Sequence, residues 1–262
     1  VLLVGLFPLL VWAAPPDARY PGGIARIVVS DATTQATFQG KQVLITETPE
    51  GRIALVGLPL DLDPGTHSLE TDQGAIAFTV TSKQYLEQRI TLSNTRQVNP
   101  LPLDLERIRG EAKNQREAVA AFRATNPELT LILPVEGPIS GPFGKRRFFN
   151  NQPRRPHAGT DIAAPLGTPL KAAGSGLVTL VGDFFFNGRL VVIDHGQGLI
   201  TMYCHMDQIE VVEGQSVTQG TRIGTVGATG RVTGPHLHLG VALNEAWIDP
   251  ALMIPEINTL PQ

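Results

Sequence analysis

Among the six histidines of this 262-residue chain, His157, His205, His236 and His238 group in the sequence with one well-placed carboxylate, Asp161. Imidazole and carboxylate are the side chains that bind borderline metal ions and move protons near neutral pH. Their spacing decides what they can do together. His236 and His238 lie in Gly234-Pro235-His236-Leu237-His238-Leu239-Gly240, which reads as a β-strand. Alternate strand residues share a face, so both imidazoles point one way while Leu237 and Leu239 point the other, into a core.

Upstream, His157-Ala158-Gly159-Thr160-Asp161 sets a His and an Asp four apart. On a helix that spacing gives one face, but Gly159, the β-branched Thr160 and Ile162, and Pro165 disfavour a helix there. An entering loop for His157 and a strand for Asp161 fit better. Catalytic zinc takes three N or O ligands and leaves the fourth position to water. His157, Asp161 and one of His236 and His238 supply that number. A hard oxygen with borderline nitrogens suits Zn²⁺ better than the all-oxygen sites of Mg²⁺ or Ca²⁺.

Other candidates have plainer readings. Tyr203-Cys204-His205 reads as strand, with Tyr203 and His205 on one face and the lone Cys204 turned into the core as a small hydrophobe. Strand neighbours cannot face each other, which disfavours a cysteine nucleophile with His205 as its base. A single cysteine also allows no internal disulfide. His195 ends a strand at a turn and reads as structural. His67, beside the Asp63-Pro64-Gly65 turn, reads as a surface residue.

The elements that must position these residues form a mainly β pattern. Residues 20–100 read as a small β-sandwich-like domain with strands at Ile24 to Val29, Val43 to Thr46, Ile53 to Val56, Ala75 to Val80 and Gln88 to Leu92. Ile76, Phe78 and Val80 alternate as one buried face. A connecting helix within 101–129 follows, its face marked by Leu105, Ile108, Ala112, Val119 and Phe122, and it stops at Asn126-Pro127. Residues 130–256 return to short strands with dense Gly and Pro punctuation, at Leu177 to Val181, Leu190 to Asp194, Leu199 to His205, Ile209 to Val212 and His236 to Leu243. They predict a compact antiparallel β-sheet domain, ending in a short tail at 257–262.

Composition bounds the rest. With 42% hydrophobic and 17% charged residues the balance is that of a globular protein, and a net charge of -3 gives no electrostatic case for nucleic acid. Val1 to Ala14 is an apolar run, with Val11-x-Ala13 as a small-residue cleavage site and Pro15-Pro16-Asp17 after it. It predicts that residues 1–19 hold the remnant of a secretory signal, cleaved or retained as a membrane anchor, and so an exported protein of the periplasm or cell envelope.

Together, His157-x-x-x-Asp161, Tyr203-x-His205 and His236-x-His238 with its flanking Gly-Pro and Leu-Gly resemble the lysostaphin-type, or LytM-like, zinc endopeptidases of peptidoglycan. The resemblance spans roughly Leu133 to Pro250. It implies one zinc per chain on His157, Asp161 and His238, with His236 and His205 flanking the metal-bound water and the scissile carbonyl; His236 is assigned as general base and His205 to the transition state, and which of the two is the base is left open. The loop from Phe143 to Pro156 corresponds to one wall of the substrate groove. Arg147, Asn151, Arg155 and Tyr203 are the substrate-binding candidates, the arginines meeting free carboxylates of peptidoglycan peptides. The bond cut is left open between a D-alanine to diamino acid link and a glycine bridge.

The first domain and helix look like the amino-terminal part of Gram-negative members. Such a domain positions the enzyme, binds a cell-wall partner protein or covers the groove. Two other functions were weighed. Some LytM-like domains have lost zinc ligands and activate cell-wall amidases, whereas all five motif positions are intact here. Gly214-Gln215-Ser216-Val217 and Gly220-Thr221-Arg222-Ile223-Gly224 resemble biotinyl and lipoyl carrier hairpins, but no lysine lies between Val217 and Ile223.

Overall fold

The computed structural model describes residues 14–261; the apolar run Val1 to Ala13, with its signal reading, lies outside them. The amino-terminal region contributes β1 (Ile24–Val28), β2 (Ala36–Phe38), β3 (Lys41–Gln42), β4 (Leu44–Thr48), β5 (Gly51–Gly57), β6 (Gly65–Thr71), β7 (Gly74–Val80) and β8 (Glu87–Ile90). After α1 (Pro102–Val119) come β9 (Ile139–Gly141), β10 (Arg146–Phe149), β11 (Gln152–Pro153), β12 (Thr160–Ala163) and β13 (Pro169–Lys171). The chain continues through β14 (Gly176–Phe184), β15 (Gly188–Gly196), β16 (Leu199–Ile209), β17 (Ser216–Val217), β18 (Arg222–Val226), β19 (His236–Leu243) and β20 (Ala246–Ile248). Among the described residues no helix is long and apolar enough to cross a membrane.

Two small sheets, β1-β5-β4 and β3-β2-β6-β7, enclose a core of Ala25, Ile27, Phe38, Val56, Leu69 and Phe78. Phe78 and Val80 are buried as their alternation predicts, and Ile76 is half-buried. His67 departs from its surface reading: it is half-buried on β6, its ring packs against Phe38 and Phe78, and its Nε2 lies 2.8 Å from the Asp63 carbonyl.

The β1-β5-β4 sheet is apolar on both faces, which explains the near-continuous buried run in β5. Ala54 and Val56 face the sandwich core. Ile53 and Leu55 face the other way, into one cluster with Leu237, Leu239, Ile162 and Tyr203. The amino-terminal sheet and the large carboxy-terminal sheet therefore share a hydrophobic core.

That large sheet has ten strands, with the order β17-β14-β15-β16-β19-β12-β9, β13, β18 and β20 pairing off this path, and its pairings are antiparallel. β16 runs on to Ile209, so no separate strand covers Ile209 to Val212. β17 pairs with β14, and β18 with β13 and β16, so the carrier-like stretch is not a local hairpin. The helix ends at Val119, short of Phe122, and beyond it Arg123 binds the Asp194 carboxylate at 2.7 Å. Its expected stripe is partly covered: Leu105 is exposed, Ile108, Ala112 and Phe122 are half-buried, and Val119 enters a core with Ala118.

One pairing crosses the expected domain boundary. β8 lies parallel to β10, with Arg147 opposite Gln88, and β11 completes this three-stranded sheet. The first β region thus hands its last strand to the edge of the site.

Candidate metal centre

β12 and β19 run antiparallel with Asp161 opposite His238 and Ala163 opposite His236. Directly opposed residues share a sheet face, so the pairing that buries Leu237, Leu239 and Ile162 beneath the sheet raises Asp161, His236 and His238 above it. His157 enters from the loop before β12, its backbone N–H donating to the Lys145 carbonyl. Its Nδ1–H donates to the Pro142 carbonyl at 2.9 Å, which leaves the Nε2 lone pair facing inward.

The three groups converge on one point. His157 Nε2, Asp161 Oδ1 and His238 Nδ1 are separated by 2.9, 2.8 and 3.0 Å. A tetrahedral zinc with bonds near 2.0–2.1 Å holds its ligand atoms about 3.3 Å apart, so a small outward shift makes the triangle a seat for the ion. Two glycines leave room for the ligand side chains: a Cβ at Gly159 would stand 2.8 Å from His238 Nε2, and one at Gly141 would collide with the Asp161 carboxylate. The donor set fits zinc.

Electrostatics favour the ligand forms of these groups. Burial pushes His157 down to about 4, so it is neutral at pH 7. Burial opposes ionisation of Asp161, but His157 and His238 together hold its carboxyl well below the ordinary range. Its second oxygen, Oδ2, accepts from Arg147 Nη2 at 2.6 Å, and Arg147 Nε donates to Gln88 at 3.1 Å.

His205 and His236 stand beside the triangle with ring centroids 4.8 Å apart. Each is tethered at Nδ1, which donates to a backbone carbonyl, that of Thr229 at 2.8 Å for His205 and of Gly234 at 2.9 Å for His236. Each therefore offers Nε2 as a proton acceptor. Burial, then the nearby His236 and His238, push His205 down to about 3, so it begins neutral.

The structure corrects the strand reading around His205. Cys204 is opposite His238 and shares the site face, whereas Tyr203, opposite Leu239, is fully buried beneath the sheet. Tyr203 therefore does not line the groove, contrary to its place among the substrate-binding candidates. Its hydroxyl accepts from the Ala173 N–H at 2.7 Å, and burial pushes it up to about 12. His205 reaches the site because its backbone turns left-handed, φ 64°, which breaks the alternation. Cys204 is wholly buried, accepts from Asn187 at 3.3 Å, and is pushed up to about 12 by burial, so it remains an unreactive thiol.

The basic loop also divides differently from the expectation. Arg147 is committed to Asp161 and Gln88 and is not free for substrate. Asn151 sits exposed at the tip of the β10-β11 turn, where Asn150 and Asn151 have φ of 49° and 63°. Arg155 is exposed and lines a separate cleft of about 530 Å³ with Trp247 and Lys41. The groove at the metal centre is smaller, about 110 Å³, and its walls include Gln88, Ile90 and Leu92 from the amino-terminal side, Ser140, and the loop residues Arg231 and Thr233. Arg231 escaped the sequence reading. Its signal was Gly230-Arg231-Val232-Thr233, a polar loop leading straight into His236.

Residues 155–250 match the model of peptidase family M23, and residues 18–83 match that of the peptidase family M23 N-terminal domain. A solved structure of a putative peptidase M23 from Pseudomonas aeruginosa is 42% identical, with 90% of this chain and 95% of that one covered and a TM-score of 0.76. This chain belongs to peptidase family M23.

Two curated M23 relatives carry activities in their names. The peptidoglycan DD-endopeptidase ShyA of Vibrio cholerae is 48% identical over 101 residues, 38% of this chain and 24% of that protein. The DD-carboxypeptidase/endopeptidase Mpg of Neisseria meningitidis is 42% identical over 122 residues, 45% of this chain and 28% of that protein. The chain thus spans only about a quarter of the length of these relatives.

Proposed function

We propose that this M23 chain is a zinc-dependent endopeptidase of peptidoglycan, working in the cell envelope, with residues 130–256 as its peptidase domain. The observation that carries the proposal is the convergence of His157 Nε2, Asp161 Oδ1 and His238 Nδ1 within 3.0 Å of one another, beside two further imidazoles anchored at Nδ1. The likeness to relatives named as peptidoglycan endopeptidases supports the substrate class. Intact ligand and proton-handling residues support catalysis over the role of an amidase activator.

Zinc held there supplies a Lewis acid for the scissile carbonyl and lowers the pKa of water to about 7. The chain does the rest. Arg147 fixes the outer oxygen of Asp161, so that Oδ1 stays aimed inward. His236 Nε2 takes the proton of the attacking water. His205 starts as an acceptor, so its transition-state role would use the proton that His236 has taken from the water: passed to His205 Nε2, it would be donated to the developing oxyanion and then to the leaving amine.

Metal content and peptidoglycan hydrolysis, measured on one purified sample, test this. The natural chain is expected to hold about one zinc and to release muropeptide fragments. His238→Ala loses both, and His236→Ala keeps zinc while hydrolysis falls by about 10²–10⁴. A zinc-loaded natural chain that cuts no wall substrate overturns the proposal in favour of a binding role.

A further inference from the structure

Arg147 and Arg231 line the metal groove, Arg154 lies near enough to act on Arg231 by its charge, and the three differ in what their guanidiniums already hold. Arg147 serves Asp161 and Gln88. Arg154 donates to the carbonyls of Pro153 and Val98 and to Gln152, at 2.7–3.0 Å. Arg231 is wedged between the rings of Phe149 and Phe186, 4.6 and 4.4 Å from their centroids. Among the described residues its side chain makes one hydrogen bond, a long one of 3.4 Å to the Gln97 carbonyl. Most of its five donors are unused, and they border a groove whose other walls include Asp161, His205 and His236.

We infer that Arg231 binds a free carboxylate of the substrate, the α-carboxylate of the residue on the nitrogen side of the scissile bond. The charge count points to an anion. Asp161 is the only carboxylate lining the groove among the described residues, and it is taken by Arg147 and the metal ligands. Burial first, and then the positive Arg147 and Arg154, push Arg231 down to about 10. A planar guanidinium held between two rings is preorganised for a bidentate carboxylate.

The position of the carboxylate follows from size and chemistry. Arg231, His205 and His236 line one small groove, of about 110 Å³, which sets a group bound by Arg231 close to the bond acted on. On the carbonyl side of an α-linked amide, such as one that follows D-alanine, the α-carboxyl is the amide itself. Only the nitrogen-side residue can carry a free α-carboxylate next to the bond, as a chain-terminal residue does, or the second centre of a cross-linking diamino acid. One loop sets both groups: Thr229 O accepts from His205 Nδ1, and Gly230 O accepts from Gln97 Nε2 at 2.7 Å, which braces the residue next to Arg231. A glycine bridge has no such carboxylate, so Arg231 selects against it.

This inference rests on the peptidase proposal, and two experiments separate their failures. In the first, the zinc-loaded full chain is given a diaminopimelate cross-linked peptide dimer and the same dimer with the carboxylate beside the scissile amide converted to a carboxamide. The natural chain is expected to favour the free acid by about 10- to 150-fold in kcat/KM, the range of a hydrogen-bonded charge. Arg231→Leu brings the two substrates within about threefold through a raised KM on the acid, and Arg231→Lys falls between. Equal rates on both dimers by the natural chain, or full preference kept by Arg231→Leu, overturn the inference.

In the second, the metal-free full chain is titrated calorimetrically with N-acetyl-D-alanyl-D-alanine and its C-terminal amide. Tighter binding of the acid by about tenfold or more, lost in Arg231→Leu, supports the carboxylate site even if neither dimer is cut. Equal binding of acid and amide overturns it. Failure of hydrolysis with an intact preference in binding counts against the peptidase proposal alone.

Discussion

Two clusters of buried polar side chains flank the same strands, and they have opposite fates. Beneath the sheet, His195 Nδ1 donates to the Ser175 carbonyl at 2.8 Å, and its Nε2 lies 2.8 Å from Thr201 Oγ1. Thr201 Oγ1 is 3.1 Å from the Tyr203 hydroxyl, which takes the Ala173 N–H. Each polar atom there has its own partner, and the network is closed. Above the sheet, His157, His238 and Arg147 all turn to the carboxylate of Asp161, and two imidazole nitrogens face each other at 3.0 Å. Burial and residue type are alike in the two clusters. Convergence of several lone pairs on one point marks the functional one.

Breaking each cluster separates these roles, and the largest effect is expected above the sheet. Asp161→Asn removes the charge shared by the ligands, so zinc content falls from about one to near none and hydrolysis to background, read by elemental analysis and muropeptide release. Loss of zinc from the His195→Leu variant instead would erase the distinction. Arg147→Ala leaves all three ligands in place but frees the outer oxygen of Asp161. Zinc affinity is expected to weaken by about 10- to 100-fold, measured by competition with a chelator.

Below the sheet the expected cost is stability. His195→Leu leaves the Ser175 carbonyl and Thr201 without their partner, costing about 1–3 kcal/mol in urea unfolding with zinc retained. pH gives a companion measurement on the metal-free chain. His157 and His205 have folded pKa values of about 4 and about 3, below the usual 6.5, so the unfolded chain binds more protons in between. Their contribution is whole above pH 6.5 and is lost as pH falls toward 4 and then 3. The urea midpoint should drop across that window, whereas a flat profile would mean that the imidazoles are not buried neutral. The smallest effect belongs to Tyr203→Phe, about 1 kcal/mol of stability and no change in KM. A raised KM would return Tyr203 to the substrate groove.

The divergence at residues 203–205 shows where strand logic stops. Alternation placed Tyr203 and His205 together, and it would have been right for a regular strand. The left-handed backbone of His205 reverses the order, and Asn187, whose carbonyl accepts the His205 N–H at 2.9 Å, helps hold that turn. Histidine is among the non-glycine residues enriched in this region, but few histidines adopt it, so residue type alone does not mark the position. The helix shows a related limit. Leu105, Ile108 and Ala112 fit a period of 3.6, but periodicity says only that a face exists, and the neighbour that would bury it is a matter of tertiary packing.

The sequence by itself determined the mainly β character, the loop-then-strand placement of His157 and Asp161, and the shared face of His236 and His238. All of these follow from local periodicity and turn chemistry, which act over a few residues. Only the tertiary structure decided that β12 pairs with β19 in the register that brings Asp161 to His238, that β8 crosses over to place Gln88 on Arg147, and that Arg231 is left with unused donors beside the histidines. Those facts depend on strand register and on which donors are already satisfied, and both are set by contacts between residues tens of positions apart.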